Sequence, residues 1–523
     1  MMRRLSAVSG ISLPSRCRFV RAALPVALLL ALAGCAVGPQ FVSPDAPAEA
    51  GYRKDSLPVQ TRAVEGIPQG DAQRFLQGTP TAARWWTNFD NPEIDRRVDL
   101  ALANSPTIAS AEAALRQAQA NVDATRGGLF PTVNANAGAT RSKSALGGLG
   151  NSGNTGGAIT PGVARSSASA YTIYNAGVSV SYAPDLFGGV RRGVEAQQAL
   201  ADAQLYQLGA TYLTLASNVA TTSFREASLR EQIRSTEEIV SLLQEQLDLV
   251  QKQFDVGAIS MGDVLQSRAQ IASAQAQLPA LRQQLAATQT QLAVYLGQTP
   301  AGAELSALSL DAIALPTDIP VSLPSELVRQ RPDIRAAEAQ LHRATAAVGV
   351  ATANLFPQIS LSGSWGSQAV DGGSNLFGSG TSVWSLGLNL LQPIFRGGTL
   401  RAQKRAAEAG LDQASANYRS TVLTAFQNVA DSLRALELDA ESLAAQAAAE
   451  QATASSLDLV KKQYRDGSIN YLQVLDSTRL YQQARLALIA ARAARLADTA
   501  ALYASLGGGW KESDTAMQAS TAQ

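Results

Sequence analysis

The chain contains itself twice. Ser105–Pro131 and Arg331–Pro357, 226 positions apart, are identical at 12 of 27 positions without a gap. Further along, Leu247–Gln266 and Leu457–Asp476 are identical at 10 of 20 positions at a shift of 210. A repeat of that length far exceeds the roughly 20–50 residues of a solenoid unit. It predicts one large structural unit duplicated end to end, with pseudo-symmetry, and with any pore or groove built from equivalent elements.

Most of each copy reads as helix. Arg191–Val256, Gly262–Leu296, Leu400–Arg465 and Tyr471–Leu506 are rich in Ala, Leu and Gln and nearly free of Gly and Pro. Shorter helical patterns precede them at Ile94–Thr125 and Glu326–Ala353. Leu243, Leu247, Val250 and Phe254 follow a 4, 3, 4 spacing that Leu457, Val460 and Tyr464 continue, which predicts a coiled-coil seam. A helix over 191–256 extends about 100 Å, longer than any globular core requires. In copy 1 the shorter pair, 94–125 and 262–296, together nearly equals one long helix, so a stacked pair fits beside it. The expectation is a cylinder of helices.

Between the helices the period changes to two. Tyr174, Ala176, Val178, Val180 and Tyr182 alternate with Asn175, Gly177, Ser179 and Ser181. Ile359, Leu361, Gly363 and Trp365 alternate with serines, and Trp384, Leu386, Leu388 and Leu390 with Ser385, Gly387 and Asn389. Val133, Ala135, Ala137 and Ala139 form the weakest of the four patterns. Each stretch suits a membrane β-strand with one apolar and one small polar face. They are expected to pair as hairpins around Ser142–Ala170 and Gln368–Gly380. The glycine-rich run Gly147–Gly157 lies between strands and lacks a phosphate-loop pattern, so it reads as a surface loop. After each hairpin comes Pro-x-x-x-Gly-Gly, with Pro184, Gly188 and Gly189 in the first copy and Pro393, Gly397 and Gly398 in the second. Proline ends strand pairing and glycine permits the turn into a helix.

Four strands cannot close a membrane barrel, and an open edge in lipid leaves backbone groups unpaired. The chain must therefore oligomerise. Two copies give a barrel too narrow for an open lumen; three give twelve strands and room for a channel. The fold class expected is an α+β membrane protein: a trimeric 12-stranded β-barrel, four strands per chain, continuous with a long helical barrel.

Several function classes are disfavoured. Lys+Arg 43 against Asp+Glu 42 leaves a net charge of +1, which offers nucleic acid nothing. His342 is the single histidine, which argues against His-based triads and His-rich metal sites, and it reads as a helix-surface residue. No nucleophile motif stands out, so an enzyme is not expected. At the N-terminus, arginines up to Arg21 precede an apolar stretch over Ala22–Ala33 and then Gly34-Cys35, the layout of a secretory signal. Leu32-Ala33-Gly34-Cys35 resembles the bacterial lipobox, which implies cleavage before Cys35 and lipidation there. Residues 36–84 are rich in Pro, Gly and polar side chains and are expected to run extended along the surface. Trp85 and Trp86 are expected to anchor that tail to the body.

The lipobox followed by Val37–Pro44, the WWTNFDNPEID segment, the two Leu-Phe-Pro turns and the paired helical tips resemble the outer membrane factor family, the TolC-like export ducts, in its lipid-anchored NodT/OprM branch. The likeness covers nearly the whole mature chain. It implies a homotrimer in the outer membrane with a long periplasmic extension, docked to a periplasmic adaptor and through it to an inner-membrane pump, usually of the RND class. Ala36 is not the aspartate that retains lipoproteins at the inner membrane. No cofactor or metal is implied beyond the covalent lipid on Cys35. The implied layout is signal 1–34, extended segment 35–92, copy one 93–297, linker 298–325, copy two 326–507 and tail 508–523.

The tips place glycine where one helix ends and the next reverses: Val256, Gly257, Ala258 and Ile259 in one copy, Gly467, Ser468 and Ile469 in the other. By resemblance these tips contact the adaptor. Also by resemblance, Leu472 and Asp476 form the gate. Their i, i+4 spacing puts both on one helix face, and three-fold symmetry makes of them an apolar and an acidic ring. Asp263 is a secondary acidic candidate at the mouth, whereas Gln473 stands where TolC has a further aspartate. The function expected is efflux of small toxic compounds. Type I protein secretion and metal-ion efflux are the alternatives within the class, and a trimeric adhesin or coiled-coil lipoprotein lies outside it.

Overall fold

The computed structural model describes residues 36–46, 51–143, 170–371 and 373–508. The signal peptide, Cys35, the run Gly147–Gly157 and the tail beyond 508 lie outside the described residues. In chain order the elements are β1 Arg74–Gln77, α1 Pro92–Asn104, α2 Pro106–Gly127, β2 Thr132–Ser142, β3 Tyr171–Tyr182, α3 Gly189–Asp255 and α4 Met261–Tyr295. There follow β4 Asp318–Val321, α5 Pro324–Gln330, α6 Pro332–Ala353, β5 Gln358–Val370, β6 Ser382–Leu391, α7 Thr399–Arg465 and α8 Tyr471–Ser505. The duplication is kept to the residue: α3 and α7 both span 67 residues, and α4 and α8 both span 35.

The expected helices at 94–125 and 326–353 are each two helices. Ser105 and Arg331, equivalent in the repeat, precede Pro106 and Pro332 and adopt ψ 122° and 125°. Proline lacks an N–H and drives the preceding residue out of the α region, so each helix breaks there. The break is where stacking occurs. Gly297, which follows α4, lies against the Asn104 carbonyl with no room for a side chain. At the equivalent place in copy two, Arg331 Nη1 donates to the Ser505 carbonyl at 2.7 Å, satisfying the end of α8. The partner stacked on α4 is thus α2 rather than the whole of 94–125.

The contacts divide into two compact units, and helices α2, α3, α6 and α7 contribute to both. One unit holds β1, β4 and the body of the helices. Its core gathers Trp85, Phe89, Phe224 and Tyr503; Trp85 stacks on Tyr503 with centroids 5.5 Å apart, the expected anchor. Arg97 and Glu226, both without exposure, pair at 2.8 Å, and Arg97 also donates to Ser223 and to the Ser306 carbonyl. Residues 36–84 do more than run along the surface: β1 pairs in parallel with β4, and Gln69 and Gln73 are buried. Their side chains donate to carbonyls of residues 310, 313 and 316, which is why polar residues can be inside here.

The other unit holds an antiparallel sheet in the order β2-β3-β5-β6. Its register sets Ala135 opposite Val178, Val178 opposite Trp365 and Trp365 opposite Trp384. All four predicted apolar stripes therefore share one face, and the Ser, Asn and Gly stripes share the other, where Ser364 and Ser385 hydrogen-bond at 2.8 Å. Trp365, Trp384, Leu386 and Leu388 are 69–81% exposed. Segment 36–41 belongs to this unit. Val37 N–H donates to Phe187 O, and Phe41 stacks on His342 at 4.4 Å, whose Nε2 lies 2.9 Å from Glu195. His342, on the surface of α6 as expected, is thus also a half-buried tie between segments. Its imidazole is planar enough to stack and polar enough to pair, so the position uses both properties.

Candidate functional site

The two hairpin tips are built alike. Gly257 and Gly467 take φ 76° and 73°, and each helix closes with a paired turn: Gly257 N–H to Phe254 O and Ala258 N–H to Gln253 O, matched by Gly467 to Tyr464 and Ser468 to Gln463. The next helix is then capped by a side chain, Ser260 accepting from Asp263 N and Asn470 from Gln473 N. Val256, Gly257 and Ala258 are exposed and Ile259 half-buried; Asp466, Gly467, Ser468 and Ile469 repeat that pattern.

Beneath the tips the four long helices share one apolar cluster. Leu243, Val250, Val264, Tyr471, Val474 and Leu475 are buried in it, with Leu247, Phe254, Ile259, Val460 and Tyr464 packed around them. The 4, 3, 4 seam contributes Leu243 and Val250 to its buried centre and Leu247, Phe254, Val460 and Tyr464 to its margin. Polar contacts fix its register: Tyr464 Oη donates to Gln253 Oε1, and Ser267 and Tyr471 hydroxyls lie 3.1 Å apart.

On α8 the residues facing this core leave a stripe of Leu472, Gln473, Asp476, Arg479 and Leu480 in the open. The expected pair Leu472 and Asp476 does share that face. Asp476 is not a bare carboxylate, since Arg479 donates to its Oδ1 at 2.7 Å. The sequence reading missed Arg479, although its i, i+3 spacing from Asp476 signalled the pair. In copy one the equivalents of Leu472, Asp476 and Arg479 are Gly262, Gln266 and Ala269, so the stripe belongs to copy two alone. Asp263 also caps its helix: Ser260 N–H and Oγ both donate to its Oδ2, closing a capping box.

The turns from strand to helix differ between copies. Gly188 takes φ 76° with Ala36 filling the place a side chain would take, and Asp185 accepts from Arg191 N–H at 2.8 Å, capping the start of α3 beside Pro184 and Gly189. Phe187 stacks on Phe356 at 4.8 Å. In the second turn, between Pro393 and the positive-φ pair Gly397 and Gly398, Ile394 and Phe395 are 89% and 87% exposed. Phe130, the copy-one equivalent of Phe356, is also exposed. Among the described residues, strands β2 and β6 each pair on one side only. Among the described residues no helix is long and apolar enough to cross a membrane.

Comparison with known proteins agrees with this architecture. The family described as "Outer membrane efflux protein" matches residues 98–298 and 323–508, one stretch for each copy. The pyoverdine export outer membrane protein OpmQ of Pseudomonas aeruginosa is 35% identical over 432 residues, 82% of this chain and 88% of the relative. The toluene efflux pump outer membrane protein TtgC of Pseudomonas putida is 31% identical over 92% of this chain and 94% of its own length. The solved structure of the outer-membrane channel OprN superposes with a TM-score of 0.79 at 28% identity, covering 91% of this chain and all of OprN. The chain belongs to the outer membrane efflux protein family.

Proposed function

We propose that this protein is the outer-membrane exit duct of a tripartite efflux system, passing small toxic compounds received from a periplasmic adaptor and an inner-membrane pump of the RND class. The observation that carries this reading is the one-sided sheet with two open edges. Its apolar face needs lipid, its edges need neighbours, and three chains supply the twelve strands that enclose a water-filled lumen lined by Ser, Asn and Gly. Relatives named for pyoverdine export and toluene efflux favour small molecules over proteins as cargo.

In this reading Cys35 carries the lipid anchor, the tips at 256–259 and 467–469 meet the adaptor, and Leu472 and Asp476 ring the mouth, with Arg479 balancing the acidic ring. The duct conducts and performs no chemistry. Deleting the gene is expected to sensitise cells to hydrophobic antibiotics and solvents, with resistance restored by the wild-type chain. Unchanged sensitivity to a broad panel, with secretion of a protein cargo lost instead, would point to the type I alternative.

A further inference from the structure

Charge is nearly absent from the sheet and its connections. Between 131 and 183 and between 357 and 392 the charged residues are Arg141, Lys143, Arg165 and Asp371. Arg141 and Lys143 stand at the end of β2, Arg165 belongs to the connection that follows, and Asp371 comes directly after β5. Asp371 is engaged, its Oδ1 accepting from Thr172 N–H at 2.6 Å. Arg141 and Lys143 are exposed and have no ion pair among the described residues. Side chains on a strand alternate between its faces, so Arg141 shares the apolar face with Val133, Ala135, Ala137 and Ala139.

That face also carries a trough of about 420 Å³, lined by Ala135, Ala137, Ala176, Val178, Trp365 and Phe377. Its shape follows from the register. Ala137 lies opposite Ala176 and Ala176 opposite Ser367, a row of small side chains across three strands, while the next row sets Val178 opposite Trp365. Phe377, from the connection between β5 and β6, is 81% exposed. Ala137 is four residues from Arg141, about 14 Å along an antiparallel strand, a distance that one lipid acyl chain covers.

The repeat supplies a contrast. The copy-two equivalents of Arg141 and Lys143 are Ser367 and Ala369, and Leu386 stands where copy one has Ala176. Leu386 pairs with Gly363 as Ala176 pairs with Ala137, so copy two puts a leucine in the row that copy one leaves small. Cations and trough occur together in copy one and are missing together from copy two.

We propose that Arg141, Lys143 and the trough bind a phosphorylated lipid of the outer leaflet, one per chain. Arginine presents a fork to phosphate oxygens and lysine a point charge, while the trough seats an acyl chain. Every bilayer lipid has such a chain, so the cations supply the selectivity. The leaflet rests on the duct reading, which puts the helices in the periplasm and the hairpin connections outside.

The test is native mass spectrometry of the delipidated full-length trimer, titrated with bisphosphorylated lipid A, dephosphorylated lipid A or inorganic phosphate. Up to three phosphorylated lipids are expected per trimer. Arg141→Gln with Lys143→Gln should weaken their binding about thirtyfold, roughly fivefold for each cation, and leave the dephosphorylated lipid unaffected. Ala176→Leu, the copy-two residue, should weaken the phosphorylated lipid several-fold with both cations in place. Equal binding of the two lipids, or no loss in the charge variant, overturns the site. Inorganic phosphate binding as tightly as the phosphorylated lipid would overturn it too, since the trough would then contribute nothing. Conductance of the same trimers keeps the two readings apart. Conducting trimers that bind both lipids alike overturn the site and leave the duct, whereas selective binding by non-conducting trimers supports the site and counts against the duct.

Discussion

Asp476 and Arg479 form an ion pair at 2.7 Å on the exposed stripe of α8, both side chains about half in solvent. An exposed pair adds little to stability, so on the proposed reading of the mouth its consequence is electrostatic: the acidic ring carries its own counter-ions. Arg479→Ala is expected to leave the ring uncompensated and shift the reversal potential toward cation selectivity in a planar bilayer under a salt gradient. Asp476→Ala should raise closed-state conductance. An unshifted reversal potential in Arg479→Ala, with trimers intact, would remove the arginine from the pore.

The duplication also dictates how protomers join. Within the chain, β3 of copy one pairs with β5 of copy two, with Val178 opposite Trp365. The internal hairpins of both copies share one register when β3 maps to β6 at 210 and β2 to β5 at 226. The same junction repeated between chains sets Leu388 opposite the partner's Ala139. Paired strand residues lie within disulfide reach. Leu388→Cys with Ala139→Cys should therefore give covalent trimers on oxidation, and Leu388→Cys with Gly138→Cys should not. Equal yields from both pairs would mean the quasi-symmetry does not extend across the interface.

Fully buried ions make the strongest stability prediction. Arg97 and Glu226 have no exposed side-chain surface. Glu226 also accepts from Arg230, so removing the carboxylate strands buried cationic hydrogen-bond donors. Glu226→Ala is expected to cost about 3–5 kcal/mol, seen as an earlier loss of helical circular dichroism in denaturant. Arg230→Ala, which leaves the inner pair in place, should cost less. If Arg230→Ala is the worse of the two, the outer pair carries the stability.

How much of this was legible in the sequence follows from which forces repeat along it. The long helices and strand faces came from periodicity, which local sequence carries, and every strand stripe fell on its predicted face because a slip by one residue would invert it. The helix breaks at Ser105 and Arg331 needed only more weight on the proline that follows each. The buried glutamines 69 and 73 and the β1–β4 pairing join residues more than 50 positions apart. No periodic signal marks such partners. The candidate gate was legible as a face of α8, whereas the role of Asp263 in its capping box was visible from Ser260 three residues earlier and was passed over.

The last prediction concerns the tie at His342. Phe41 lies flat on its ring, Glu195 holds its Nε2, and Arg192 both pairs with Glu195 at 2.7 Å and donates to the Val37 carbonyl. Segment 36–41 is thus held by one stack and a short chain of polar contacts rather than by a strand ladder. His342→Ala removes the stack and the Glu195 contact together, while Gln at this position keeps a polar partner for Glu195 without the aromatic face. Limited proteolysis of folded trimers should cut within 38–44 several-fold faster in His342→Ala, with His342→Gln intermediate. Stacked aromatic contacts are worth about 0.5–1.5 kcal/mol, a few-fold to roughly tenfold in local opening. Cleavage at wild-type rates in both variants would mean that Val37 and its backbone contacts hold the segment without the histidine.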